Sequence, residues 1–267
     1  MQQLFDSHVH SDCSPDGHHS VTTIASRAQE MGLPGFAVTD HCEVNAYYTE
    51  NYDKRMKQSA FEIRKARAVF EPFLTVAHGV ELGQPLQDLK ASAAVLQLYD
   101  YDFILASVHN NKNEEDFYVL EYNDFDQTNA LLERYFTECL ETARWNGFDS
   151  FAHLTYPMRY ILKKRNDIDL SRFDGITDEF LRVLAANAKA LEINTSSLRR
   201  DNPEFLCYER YSRRFKELGG RYITIGSDAH NATDIGAGLR EGVELIKSLG
   251  YTHYARYIKR CPIEIPI

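Results

Sequence analysis

Asp6-Ser7-His8-Val9-His10 closes a short β-prone segment, 4–8, and sets two imidazoles two residues apart. In an extended strand, residues i and i+2 point to the same side, so His8 and His10 can reach one metal ion. Asp228-Ala229-His230 repeats that spacing after another such segment, 221–226. Between these two lie β-prone segments at 35–39, 73–80, 103–108, 149–153 and 190–194. The segment at 35–39 runs into Asp40-His41, 73–80 into Glu81 and 103–108 into His109. The segment at 149–153 ends on His153, and 190–194 carries Glu192 and Asn194. Every predicted strand thus delivers a His, Asp or Glu at its carboxyl end.

Helix-prone stretches separate most of these strands, at 20–31, 54–71, 127–145, 177–189, 204–218 and 237–249. Ser20 or Thr22 supplies an N-cap for the first, and Gly32 stops it. The second shows apolar residues at helical spacing and stops before Pro72. The alternation predicts an α/β fold with a mostly parallel sheet, either open or closed into a barrel. A barrel gathers its strand ends on one face, where substrates bind. An open sheet spreads them along an edge. The polar strand ends therefore favour closure, with the active site at the C-terminal ends of the strands.

The candidate ligands are His8, His10, Asp16, His41, Glu81, His109, His153, Asp228 and His230. Asp16 sits in the turn Ser14-Pro-Asp-Gly17 and reaches the site only if that turn folds back over it. A carboxylate after a buried strand, as at Glu81, needs a partner because an unpaired charge there is costly. A metal ion supplies one, and a carboxylate can bridge two ions. His18, His19 and His253 read as surface residues and His78 as a packed strand residue. The remaining set exceeds what one ion can use. Imidazole with carboxylate suits Zn, Fe or Mn, so two or three divalent ions are expected. Such ions lower the pKa of water and clamp a phosphoryl group, which points to hydrolysis.

The chain has 267 residues, 43% hydrophobic and 26% charged, which is globular and consistent with a single domain over 1–267. The net charge of −9 argues against a broad basic face for long nucleic acids. No apolar run is long enough to span a membrane, and no signal peptide is expected at the N-terminus. The five cysteines are odd in number, widely spaced and without a Cys-x-x-Cys pair. They predict reduced thiols in a cytoplasm rather than disulfides or a structural zinc.

Asp6-Ser-His-Val-His10, Thr39-Asp-His41, Gly79-Val-Glu81, Ser107-Val-His109, Ala152-His153 and Gly226-Ser-Asp-Ala-His230, in that order, resemble the polymerase-and-histidinol-phosphatase (PHP) family over nearly the whole chain. The resemblance implies a distorted, TIM-like (β/α)7 barrel with a trinuclear metal centre. It implies one ion on His8, His10, Glu81 and Asp228, and a second on Asp16, His41 and the bridging Glu81. It implies a third on His109, His153 and His230. Asp16 departs from the histidine that many members carry there. On this reading Asp16, Glu81, His153 and Asp228 are catalytic.

Two further stretches look like the histidinol-phosphatase branch: His153-Leu-Thr-Tyr-Pro-Met-Arg159 and Leu191-Glu-Ile-Asn-Thr-Ser-Ser-Leu-Arg199. Each puts an arginine shortly after a strand-end polar group, and a guanidinium can hold phosphate oxygens in a fork. Arg159 and Arg199 are the expected phosphate ligands, with Arg200 as the alternative to Arg199. The implied activity is hydrolysis of L-histidinol phosphate in histidine biosynthesis, and the implied partner is a small-molecule phosphate ester. Glu192, Asn194, Glu43 and Asp124 are candidate acceptors for the substrate's amine and imidazole. Nucleotide phosphoesters, a metal-stabilised non-catalytic module and C–N hydrolysis are the alternatives, and the number of subunits is left open.

Overall fold

The computed structural model describes residues 4–199 and 204–267. Seven parallel strands run in the order β1 (Asp6–Val9), β2 (Gly35–Val38), β4 (Thr75–Gly83), β5 (Phe103–Ser107), β6 (Ser150–Phe151), β7 (Ala190–Asn194) and β8 (Ile223–Gly226). A short β3 (His41–Glu43) also pairs with β4. The ring closes between β8 and β1 through one parallel bridge, Val9 to Ala229. Two hydrogen bonds accompany it, Asp228 N to His8 O at 2.8 Å and His10 N to Ala229 O at 2.9 Å. The seam is therefore tied at the mouth, where the polar strand ends gather. This is the expected barrel-like fold, nearly closed.

Closure requires β1 and β8 to come close, and Gly226 permits it. A Cβ there would lie 2.3 Å from the His8 Cβ. Most ring strands are buried throughout, as a parallel barrel with outer helices demands. Phe36, Val38 and Val76 pack under α1 (Val21–Glu30) and α2 (Tyr52–Phe70) against Ile24, Ala28 and Ile63. Ser20 caps α1 by accepting from Thr23 N at 3.2 Å, an interaction worth about 1 kcal/mol. The larger core continues under α3 (Leu89–Leu98), α4 (Phe125–Trp145), α6 (Asp174–Ala186), α8 (Phe205–Glu217) and α9 (Leu239–Ser248). The short helices α5 (Met158–Ile161) and α7 (Ser196–Arg199) sit in the loops after β6 and β7.

Among the elements that the sequence did not predict are α3 and the two C-terminal strands. Helix α3 fills a stretch with no predicted helix; Asp88 caps it through Ala91 N. His253, exposed as expected, lies in a strand. Its strand, β9 (His253–Ile258), forms an antiparallel hairpin with β10 (Cys261–Pro266). The hairpin turn places Lys259 and Arg260 at φ 50° and 62°, a left-handed pair without the Asn-Gly signature that usually announces such turns. The hairpin lies at the N-terminal end of the strands, opposite the mouth. There Arg260 grips Asp149, and the Tyr254 hydroxyl accepts from Phe5 N at 2.8 Å. Among the described residues, no helix is long and apolar enough to cross a membrane.

Candidate metal centre

Asp6, His8 and His10 follow one another at a spacing of two along β1 and its exit. Asp6 is fully buried and accepts from Ser227 N, Ser227 Oγ and Gly236 N, so it fixes the loop that carries Asp228. The rings of His8 and His10 converge, with their Nε2 atoms 2.9 Å apart. Glu81 Oε2, from β4, lies 3.4 Å from His8 Nε2 and 3.5 Å from His10 Nε2. Asp228 Oδ1 lies 3.7 and 3.4 Å from the same two nitrogens. Ligands about 2.1 Å from a tetrahedral ion stand roughly 3.4 Å from one another. His8, His10 and Asp228 are thus spaced to share one divalent cation, with Glu81 beside both histidines, and these are the four residues that the family resemblance grouped.

The other oxygen of Glu81 serves a second group. Its Oε1 lies 3.2 Å from His109 Nε2 and 2.9 Å from His153 Nε2, and those two nitrogens are 3.5 Å apart. Three donors on one face leave room for a further oxygen ligand. The third group forms at the mouth. Asp16 Oδ2 lies 3.1 Å from His230 Nε2, and Asp16 Oδ1 lies 3.6 Å from His41 Nε2. His10 stacks against the rings of both His41 and His230, 4.2 Å from each, and those two rings are 5.7 Å apart. The turn at Asp16 does fold back: Gly17 lies so close to Ser11 that a Cβ there would meet its carbonyl at 1.8 Å.

This grouping corrects one part of the expected partition. His230 joins Asp16 and His41 instead of His109 and His153, while His41 keeps its expected contact with Glu81, Nδ1 to Oε2 at 2.9 Å. The ring order explains it. The strands β5 and β6 follow β4, so their terminal histidines meet the Glu81 carboxylate. The β8 end lies beside β1 across the seam, next to the Asp16 turn. Closure geometry of this kind leaves no trace in residue spacing.

Hydrogen bonds at the outer ring nitrogens aim the inner ones. Ser14 Oγ donates to Asp40 at 3.0 Å, so the 3.1 Å contact with His10 has Nδ1–H as its donor. His230 Nδ1 donates to Asp228 O at 3.0 Å, and His109 Nδ1 lies 3.1 Å from Glu43 Oε1. In each case Nε2 is left with its lone pair facing the site. Glu43 is thus part of the site, close to both His41 and His109 and bonded by Gln84. The sequence offered it only as a substrate acceptor. Its signal was its place two residues after His41 on a strand.

The electrostatics agree. Burial opposes ionisation of Glu81, but His41, His8 and His109 hold its carboxyl well below the usual range. Asp228 is likewise held low against burial by His8, His10 and Arg159. Burial would lower the His109 pKa, yet Glu43 and Glu81 push it up to about 10, so without an ion the carboxylates hold a proton on its Nε2, and a bound cation would take that proton's place. His10 goes the other way, lowered by burial and by His230 and His41. Ionised carboxylates among crowded imidazoles are what divalent ions bind. Asp16 is the exception in exposure, with 59% of its side chain accessible, so the third group faces solvent while the first two are buried.

The arginines divide. Arg159 is buried at the cleft, with Nη1 3.1 Å from Asp228 Oδ2 and Nε 3.0 Å from Glu204 Oε2. Arg199 does not line the cleft. It donates to Ser227 O at 2.7 Å and Asp228 O at 3.1 Å, behind the ligand loop, in place of the expected phosphate contact. Arg200 lies outside the described residues. Of the remaining acceptor candidates, Asp124 caps α4 through Gln127 N, and Asn194 bonds Glu192 and Asp228. The cleft itself measures about 920 Å³. Glu50, Glu114, Glu115 and Asp116 lie along its walls with Tyr118, Tyr156 and Tyr160.

Comparison with known proteins adds to this geometry. The PHP domain matches residues 6–196. A histidinol-phosphatase of Lactococcus lactis subsp. lactis is 30% identical, covering 96% of this chain and 95% of its own. A probable histidinol-phosphatase of Thermotoga maritima is 29% identical, over 94% and 95%. The crystal structure of histidinol phosphate phosphatase from Lactococcus lactis, complexed with Zn, L-histidinol and phosphate, superposes with a TM-score of 0.81 at 26% identity. It covers 98% of this chain and 100% of that one.

Proposed function

This chain belongs to the PHP domain family, and from that premise we propose that it is a metal-dependent phosphomonoesterase that hydrolyses L-histidinol phosphate to L-histidinol and phosphate. The observation that carries this reading is the Glu81 carboxylate, which faces His8 and His10 with one oxygen and His109 and His153 with the other. It is supported by near full-length relatives named for that activity, one of them solved with zinc, histidinol and phosphate. Residues 1–267 act as one domain, and the enzyme works in the cytoplasm as part of histidine biosynthesis. Its substrate is a small phosphate ester, not a long nucleic acid.

In this reading His8, His10, Glu81 and Asp228 hold one divalent ion, and Glu81, His109 and His153 hold a second. Asp16, His41 and His230 hold a third. Zinc is the first choice, with iron and manganese sharing its taste for imidazole and carboxylate. When bound, such ions lower the pKa of water and neutralise charge on a phosphoryl group in flight. The chain supplies the rest. Arg159 lines the cleft beside Asp228 and presents positive charge to phosphate oxygens from a buried, bonded position, which avoids reorganisation during reaction. The acidic wall of Glu50, Glu114, Glu115 and Asp116 suits the other end of the substrate, whose amine and imidazole are basic. Tyr156, held by Asp116 through its hydroxyl at 2.8 Å, gives that wall an aromatic face.

The test is metal dependence on the named substrate. Phosphate release from L-histidinol phosphate is measured before EDTA treatment, after it, and after zinc is restored. Loss and recovery of turnover are expected. Undiminished release from the stripped protein overturns the reading.

A further inference from the structure

We propose that Glu192 is a positioning residue that aims two metal ligands at once, His8 of the first group and His153 of the second. The inference rests on the reading that both histidines bind metal. Glu192 stands in the middle of β7 and is fully buried. It does not line the cleft, so it is not the substrate acceptor that the sequence suggested. Its Oε1 lies 2.7 Å from His8 Nδ1. Its Oε2 accepts from the His153 backbone N at 2.9 Å and from Asn194 Nδ2 at 3.2 Å.

Each contact fixes a different variable. A carboxylate at Nδ1 keeps the proton there and leaves Nε2 as the only nitrogen of His8 with a lone pair to give. That Nε2 is the atom facing His10, Glu81 and Asp228. His153 has a backbone φ of 25°, outside the regions that suit a residue with a side chain. The bond from its N–H to Glu192 holds that conformation and with it the direction of the ring towards Glu81. The fold makes room for the arrangement: a Cβ on Gly226 would come within 2.7 Å of Glu192 Oε1. Asn194 extends the same frame, since its Nδ2 also lies 3.2 Å from Asp228 Oδ2.

Glutamine has the shape of glutamate but only one accepting oxygen. It cannot accept from His8 on one side and His153 on the other. The experiment titrates zinc into metal-free wild type and Glu192→Gln, counts bound ions, and measures kcat and KM at saturating zinc. The expected result is a roughly 10- to 100-fold loss of zinc affinity with a lower kcat and a KM close to wild type. Wild-type affinity and kcat in Glu192→Gln overturn the positioning role alone. Failure of the wild type to take up zinc overturns both that role and the metal centre. The tautomer is read independently of any variant, by NMR of 15N-histidine-labelled, zinc-loaded wild type. Nδ1 protonated and Nε2 ligated at His8 is expected; zinc on Nδ1 overturns the proposal.

Discussion

Arg159 Nη1 and Asp228 Oδ2 lie 3.1 Å apart, so the arginine proposed to hold phosphate also braces a proposed metal ligand. The same guanidinium bonds Glu204, which is fully buried. Burial opposes the charge on Arg159, but Glu204 and Asp228 hold its pKa well above the usual value. Arg159→Ala strands two carboxylates away from water, which costs about 3–5 kcal/mol. The expected outcome is a much lower melting temperature, with kcat/KM for histidinol phosphate down at least roughly 100-fold. Arg159→Lys keeps a charge but not the fork, so KM rises and zinc affinity falls together. Thermal melts, zinc titration and steady-state kinetics check this. A Lys variant with wild-type KM removes the phosphate role.

Arg199 is expected to act through the loop that carries Asp228. It holds the carbonyls of Ser227 and Asp228, and Asp228 sits at φ 53°, a left-handed position that needs support. Arg199→Ala is expected to lower kcat roughly tenfold, about 1.4 kcal/mol, with KM for histidinol phosphate unchanged. A tenfold rise in KM at constant kcat would instead mark Arg199 as a phosphate ligand.

Glu115 is exposed on the acidic wall. Glu115→Lys reverses one charge facing the basic end of the substrate, an effect of about 1 kcal/mol at the surface. KM for histidinol phosphate is expected to rise roughly fivefold, while turnover of p-nitrophenyl phosphate, which has no basic group, is spared. Equal effects on both substrates would remove the wall from substrate selection.

His78 gives the protein a pH dependence separate from the metal centre. It stands on β4 against the rings of Tyr99 and Tyr101. Burial and the nearby Arg67 lower its pKa to about 4. The unfolded chain binds a proton here near pH 6.5, before the folded protein does. Stability from His78 is therefore complete above that pH and is lost as pH falls towards 4, by on the order of 3 kcal/mol at most. In metal-free protein, urea unfolding of His78→Gln should lose less stability than wild type between pH 6.5 and 4. Parallel pH profiles would contradict this.

The ring of strands and most of the ligands were legible because chemistry and period coincide. An apolar strand that ends on His or Glu carries its own label, and His8 with His10 declares its face by spacing alone. What stayed hidden depended on closure. The placement of His230 beside Asp16 follows from the seam between β1 and β8. Arg199 follows the end of β7 and Glu192 stands within it, so both look like site residues in sequence, yet their contacts are with the backbone or outer atoms of the candidate ligands. Glu43 ends β3, a three-residue strand that the sequence did not announce as one. The C-terminal hairpin was missed because Lys259-Arg260 adopts a turn conformation that its residue types do not favour.

The most direct test is a comparison of kcat/KM for L-histidinol phosphate with a panel of nucleotide monophosphates, using the zinc-loaded protein. The account predicts a value of about 10⁴ M⁻¹s⁻¹ or more for histidinol phosphate, at least roughly 100-fold above every nucleotide, a preference of about 2.7 kcal/mol. Equal or faster turnover of a nucleotide, or no release from histidinol phosphate, would contradict it.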